Sequence, residues 1–133
     1  MGWRWKTIPL KTFTDSRGTL KKVLKQSQLD NASIQEVYLL YSKQGSTRGN
    51  HYHKITGEFF YVVSGTGTIV LQEIPGGIRQ TIELSSGNDV VLMVPPGVAH
   101  ALRNESEAPL IILALSTREY NEIERDTFPS ELI

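Results

Sequence analysis

The chain has 133 residues, 39% hydrophobic and 21% charged, with 14 Lys+Arg against 14 Asp+Glu and no cysteine. That is the length and composition of one ordinary globular domain, 1–133, able to bury a core without staples. Zero net charge argues against a broad surface for nucleic acid or anionic membrane, and the lack of cysteine excludes disulfides, thiolate zinc sites and thiol nucleophiles.

The opening MGWRWKTIPLKTF has no continuous apolar run like that of a signal peptide. LIILAL at 110–115 is too short to cross a bilayer. A cytoplasmic protein is expected, with no membrane and no nucleic-acid partner. Trp3 and Trp5 are expected to pack against a neighbouring sheet or subunit.

In chain order the sequence alternates short β-type runs with turn residues. TLKKVLK (19–25) is the first run, and SQLDNAS (27–33) suits a short turn. IQEVYLLY (34–41), EFFYVVS (58–64) and GTIVLQEI (67–74) follow. PGG at 75–77 reads as a hairpin loop into IRQTIEL (78–84), because glycine tolerates positive φ. SSGND at 85–89 leads into DVVLMV (89–94), and PPG at 95–97 stops that strand and aims AHALRN (99–104). LIILALS (110–116) is the last run, and TREYNEIERDTF (117–128) is polar enough to be a tail lying on the surface. Helical periodicity is weak throughout. Strands at this spacing predict an all-β closed barrel or jelly roll with a short polar C-terminal tail.

The chain has three histidines, and their placement is the strongest chemical signal. His51 and His53 flank Tyr52, and alternation along a strand turns both imidazoles to one face. Two such rings can close on one ion at about 2.0–2.1 Å if it is zinc. Glu58 follows across a short turn and can return a carboxylate from the next strand. His100 comes from a distant strand, just after the rigid PPG turn. A barrel interior is where all four can meet. An isolated His-x-His is often only a polar pair on a strand, but here every histidine of the chain is drawn into one pattern.

That pattern runs Gly45, His51, His53, Glu58, Gly65, then Pro95, Gly97, His100, Asn104, and it resembles the two motifs of the cupin superfamily. Gly87 stands two residues further from Pro95 than the family pattern asks, a departure in a loop. The resemblance implies a double-stranded β-helix, the cupin jelly roll. DSRGTL (15–20) and TRGNHYH (47–53) resemble the nucleotide-sugar branch: thymidine-diphosphate-4-keto-6-deoxyglucose ketoisomerases, 4-keto-rhamnose 3,5-epimerases, and the C-terminal cupin of capsular-polysaccharide enzymes acting on a UDP-4-keto sugar.

The resemblance implies an isomerase or epimerase working beside the keto group of a nucleoside-diphosphate 4-keto-6-deoxyhexose in cell-surface polysaccharide biosynthesis. Arg48, Asn50 and Tyr52 are the expected substrate contacts, Arg48 through a diphosphate that a guanidinium pairs bidentately. His51, His53, Tyr38 and Tyr61 are the expected proton carriers, with Tyr41 a further sugar or base contact. One divalent metal is expected on His51, His53, Glu58 and His100, zinc first and manganese, iron or nickel as alternatives. No NAD is expected, since no glycine-rich dinucleotide fingerprint is present. The branch implies a homodimer.

Two roles compete for the same histidines. A metal-bound imidazole has given up its lone pair and cannot also be a base. The ketoisomerase pattern lacks a carboxylate at position 58 and metal cupins have one, so Glu58 favours a Lewis-acid ion, with a metal-bound hydroxide or a nearby tyrosine as base. A non-catalytic sugar- or metabolite-binding cupin is the alternative, and a cupin dioxygenase a more distant one.

Overall fold

The computed structural model describes residues 4–29 and 31–133. Trp3, one of the two tryptophans singled out above, lies outside them. The strands are β1 (Lys6–Pro9), β2 (Lys11–Asp15), β3 (Gly18–Lys22), β4 (Glu36–Ser42), β5 (Thr47–Tyr52), β6 (Glu58–Ser64), β7 (Thr66–Glu73), β8 (Arg79–Ser85), β9 (Val90–Val94), β10 (Val98–Arg103), β11 (Leu110–Ser116) and β12 (Phe128–Pro129). Among the described residues one 3-10 turn, Gln26–Gln28, interrupts them. One five-stranded sheet runs β1-β9-β6-β11-β4, a second β12-β5-β10-β7-β8, and among the described residues β2 pairs only with β3. All pairings are antiparallel. This is the jelly roll that the strand spacing predicts.

The eight expected runs correspond to β3, β4 and β6 through β11, with EFFYVVS and LIILALS matched end to end. Four strands went unmarked. β1 and β2 are short and rich in Lys and Thr. β5 contains Gly49 and Asn50, which break the usual strand composition. β12 is the last part of the supposed tail.

Alternation explains the packing. On β11, Leu110, Ile112 and Ala114 face inward and are buried, while Ile111, Leu113 and Leu115 face out and are only partly covered. On β6, Phe60 and Val62 join the inter-sheet core with Leu71, Leu92, Val94 and Leu102. The opposite face of β6 is covered too. Phe59 and Tyr61 sit in a second cluster with Leu29, Val91 and Met93, against which Val23, Leu24 and Ile34 pack. The segment between β3 and β4 therefore forms an outer layer on half of the first sheet. Trp5 packs on the main core and donates its indole N–H to Gln80 Oε1 at 2.8 Å.

The feature that positions the site is a bulge in β5. His100 on β10 faces His51, but the next residue, Ala101, faces Gly49, so Asn50 is the extra residue. Asn50 has φ +56° and Gly49 φ +88°, both in the left-handed region that Asn tolerates and Gly favours. The extra residue resets the alternation, so Arg48 and His51, three apart, line one cavity. A Cβ added at Gly49 would sit 2.7 Å from the His100 carbonyl oxygen, a backbone atom that cannot move aside. Gly49→Ala should therefore cost about 1–3 kcal/mol in urea unfolding. Gly87→Ala, whose Cβ would meet nothing within 4 Å, should stay within about 0.5 kcal/mol.

Candidate active site

Four elements deliver the site. β5 and β10 bring His51 and His100 side by side as register partners. β6 begins at Glu58, between Val94 of β9 and Ser116 of β11, so its carboxylate comes from the facing sheet. His53 follows β5 and is held from below, because Gly97 of the PPG turn donates its N–H to the His53 carbonyl at 2.7 Å. The potential ligand atoms of His51, His53, Glu58 and His100 all lie within 4.8 Å of one another.

Glu58 is the hub. Its Oε1 lies 2.7 Å from His53 Nε2 and 3.2 Å from His100 Nε2, and its Oε2 accepts the Tyr38 hydroxyl at 2.7 Å. Burial alone would raise this carboxyl, but the hydrogen bonds from His100 and His53 hold it far below the usual carboxylate range. The same burial would lower His53, and its bond to Glu58 more than offsets this, leaving it raised. The His51 ring makes no hydrogen bond among the described residues. Burial, with the neighbouring His100 and His53, lowers it to about 4. Tyr38 is pushed well above its ordinary value by burial and then by the charge of Glu58, so its hydroxyl keeps its proton.

The donor set fits a cation for a reason visible in its outer contacts. His53 Nδ1 faces the Asp126 carbonyl at 2.6 Å and His100 Nδ1 faces the Val98 carbonyl at 3.3 Å. A carbonyl can only accept, so these Nδ1 atoms carry protons, and each Nε2 faces Glu58 Oε1. Lone pairs so close to a carboxylate oxygen require positive charge between them, either further ring protons or a divalent ion.

Two cavities meet at this cluster. One, of about 340 Å³, opens between Glu36, Tyr38, His51, His53 and the chain after β11, and Glu119, Glu124 and Asp126 make its wall acidic against Arg118 alone. The other, of about 160 Å³, is mainly apolar and contains Arg48 beside Leu40, Phe60 and Leu102. Arg48 stands exposed at its rim, donating from Nε to Ser42 Oγ at 3.2 Å and from Nη2 to the Tyr41 carbonyl at 3.4 Å.

The remaining expected site residues part company here. Tyr38 joins the cluster. Tyr61, three residues from Glu58 on β6, faces the other way into the outer apolar cluster, so the structure does not bring it to the site. Tyr52 alternates against both histidines, stacking on Phe128 at 5.4 Å and packing with Ala99, Ala101 and Leu132. Asn50 is used by the fold: its Oδ1 accepts the N–H groups of Leu132 and Ile133 at 2.9 and 3.2 Å. Tyr41 points outward from β4 and is exposed. The polar stretch 117–128 is more than a surface tail, since it walls the larger cavity and carries Asp126. Asp126 and Thr117 were missed, and no motif marks them.

The family is decided by a match over residues 13–128 to the model of the polysaccharide biosynthesis C-terminal domain. The chain belongs to this family. Among curated relatives it is 30% identical over 118 residues to the TDP-4-oxo-6-deoxy-α-D-glucose-3,4-oxoisomerase of Aneurinibacillus thermoaerophilus, covering 88% of this chain and 81% of that protein. Among solved structures it resembles a double mutant of the QdtA 3,4-ketoisomerase from Thermoanaerobacterium thermosaccharolyticum in complex with TDP, with TM-score 0.79 and 26% identity over 96% of this chain and 88% of that one. It also matches the capsular polysaccharide assembling protein CapF from Staphylococcus aureus, with TM-score 0.71 and 26% identity over 94% of this chain. The chain spans 33% of that protein's length. The cupin resemblance and its nucleotide-sugar branch are borne out by these similarities.

The shift of His51 sets a pH dependence. Its folded-state value of about 4 lies below its ordinary 6.5, so the unfolded chain binds the proton first and stability is lost as pH is lowered from the higher value to the lower. His53, being raised, acts in the opposite sense and only above 6.5. Urea titrations of chelator-treated protein should show stability declining from pH 6.5 toward 4, and His51→Gln should flatten that limb. An equally steep limb in the variant would assign it to other groups.

Proposed function

We propose that this chain is an isomerase or epimerase acting beside the keto group of a nucleoside-diphosphate 4-keto-6-deoxyhexose, in the making of a cell-surface polysaccharide. The observation that carries this reading is the junction of the His/Glu/Tyr cluster with a cavity whose rim bears Arg48. The oxoisomerase relative, named for a substrate of this class, supports it.

The residues divide the work by charge. The diphosphate belongs at Arg48, because the larger cavity carries Glu36, Glu119 and Glu124 and would repel a dianion. The apolar cavity between Arg48 and His51 then receives the sugar ring. Tyr38 presents a protonated hydroxyl to both cavities, suited to hydrogen-bond a developing enolate oxygen. Without a bound ion, His51, neutral and with no hydrogen bond to its ring among the described residues, is the group with an available lone pair for the hydrogen next to the carbonyl.

We further propose that His51, His53, Glu58 and His100 hold one divalent ion, zinc before manganese, iron or nickel for this N/O donor set. Bound there, such an ion supplies Lewis-acid polarisation of a carbonyl or enolate oxygen. A reading with His51 as base and no metal is favoured by its lack of any partner, and a single experiment separates the two. In deuterated water, a 4-keto-6-deoxyhexose nucleotide should acquire deuterium at the carbon beside the carbonyl, and chelation should abolish the exchange. Exchange surviving complete metal removal would make His51 the base, and no exchange on any keto-sugar nucleotide would leave a binding module. Arg48→Ala should weaken nucleoside-diphosphate binding about tenfold at low salt, with a smaller loss as salt rises.

We also propose pairing with a second copy. The β2–β3 hairpin exposes Phe13 and Leu20 at 55% and 56%, and a lone two-stranded hairpin is marginal in water. The edge strand β4 exposes Val37, Leu39 and Tyr41 at 57%, 51% and 61%. The arm of one copy laid on the β4–β11 face of the other, and the reverse, would cover both surfaces around one twofold axis. Light scattering should give twice the 14.9 kDa of one chain, and Leu39→Glu should shift it to the single-chain mass. A wild-type monomer at high concentration would remove the proposal.

A further inference from the structure

The loop joining His53 to Glu58 has all four of its backbone N–H groups taken by two residues from the far end of the chain. Lys54 donates to Asp126 Oδ1 at 2.9 Å, and Ile55 and Thr56 donate to Oδ2 at 2.9 and 2.8 Å. The Thr56 hydroxyl donates to the same oxygen at 2.8 Å. Gly57 donates to Thr117 Oγ1 at 2.9 Å, while its carbonyl accepts the Thr117 N–H at 3.0 Å. Asp126 then does one thing more. Its carbonyl oxygen accepts the His53 Nδ1–H at 2.6 Å.

One residue thus grips the loop with its carboxylate and the ring with its backbone. The two grips are coupled, because the carboxylate fixes where its own carbonyl sits. The strand β12 begins two residues later and pairs Phe128 with Tyr52 and Pro129 with His51, so the peptide is tied down on that side as well. We propose that Asp126 is a positioning residue: it holds His53 in the tautomer and orientation that aim Nε2 at Glu58, an inference resting on the reading of that cluster as the working centre. The chain after β11 is on this account part of the site's machinery.

The test is made on full-length protein labelled with nitrogen-15 at histidine, with no substrate present. In the wild type, His53 Nδ1 should be of the proton-bearing kind, with its hydrogen slow to exchange. In Asp126→Ala, the Nδ1 hydrogen should exchange at least about tenfold faster and the tautomers should mix, while the His100 signals stay in place. Turnover should fall about 10–100-fold, as for loss of other groups that orient a working imidazole, with KM for the nucleotide sugar within about twofold. Asp126→Asn keeps one acceptor oxygen, and an intermediate exchange rate there supports the proposal even if the alanine variant fails to fold. His53 protection unchanged in both variants would reduce Asp126 to a loop anchor and overturn the proposal. The histidine signals are read without turnover. A positive result there with an inactive wild type would therefore sustain Asp126's role while removing the isomerase reading.

Discussion

A carboxylate 6% exposed in the middle of a sandwich is the constraint from which the rest follows. An isolated buried charge costs several kcal/mol, so Glu58 must be surrounded by donors or cations. The fold supplies them from three directions: His53 from the end of β5, His100 from β10 and Tyr38 from β4, with the turn Pro95–Gly97 bracing His53. Glu58 sits at the first residue of its strand and lines both cavities. The barrel is closed by apolar side chains further along the same strands, Phe60 and Val62 next on the inward face of β6. Rigidity on one side and vacancy on the other are properties of one strand.

The bulge at Asn50 is the second constraint, and it shows how far the sequence could be read. Alternation alone aligned His51 with His53, and the structure agrees. The same alternation sends Tyr52 to the opposite face and places Tyr61 opposite Glu58, so both tyrosines were open to exclusion from the pattern that picked the histidines. Arg48 was a different matter. Regular alternation would have put it opposite His51, and only the extra residue restores them to one cavity. The signal was present in Gly49-Asn50, two residues suited to positive φ, but composition does not tell a bulge from a turn.

Asp126 lay beyond sequence reasoning for a clearer reason. Its role consists of hydrogen bonds to backbone amides at 54, 55 and 56, and amides carry no sequence identity. A polar stretch with weak periodicity reads as solvated tail whether or not one of its carboxylates is caught by a loop seventy residues away. The contacts are long-range and local pattern cannot carry them. The same holds for Asn50, an expected substrate contact that is spent instead on the N–H groups of Leu132 and Ile133.

The three histidines are alike in sequence and unlike in circumstance. His53 and His100 have a carbonyl behind each ring and Glu58 in front, so each is fixed in tautomer and direction. His51 has neither, touching its neighbours only through ring contacts at 4.9 and 4.7 Å. A ligand set needs rings held still with lone pairs converging, and two of the three meet that need fully. A proton carrier needs a lone pair facing substrate space and no partner that occupies it, and His51, lining both cavities, meets that one. The geometry therefore grades the histidines where the motif treats them as equals. Tyr38 donates its hydroxyl to Glu58 Oε2 and, like His51, lines both cavities. A substrate held beside His51 and Tyr38 would meet a lone pair from the one and a hydroxyl donor from the other, a pairing suited to exchange of hydrogen beside a carbonyl.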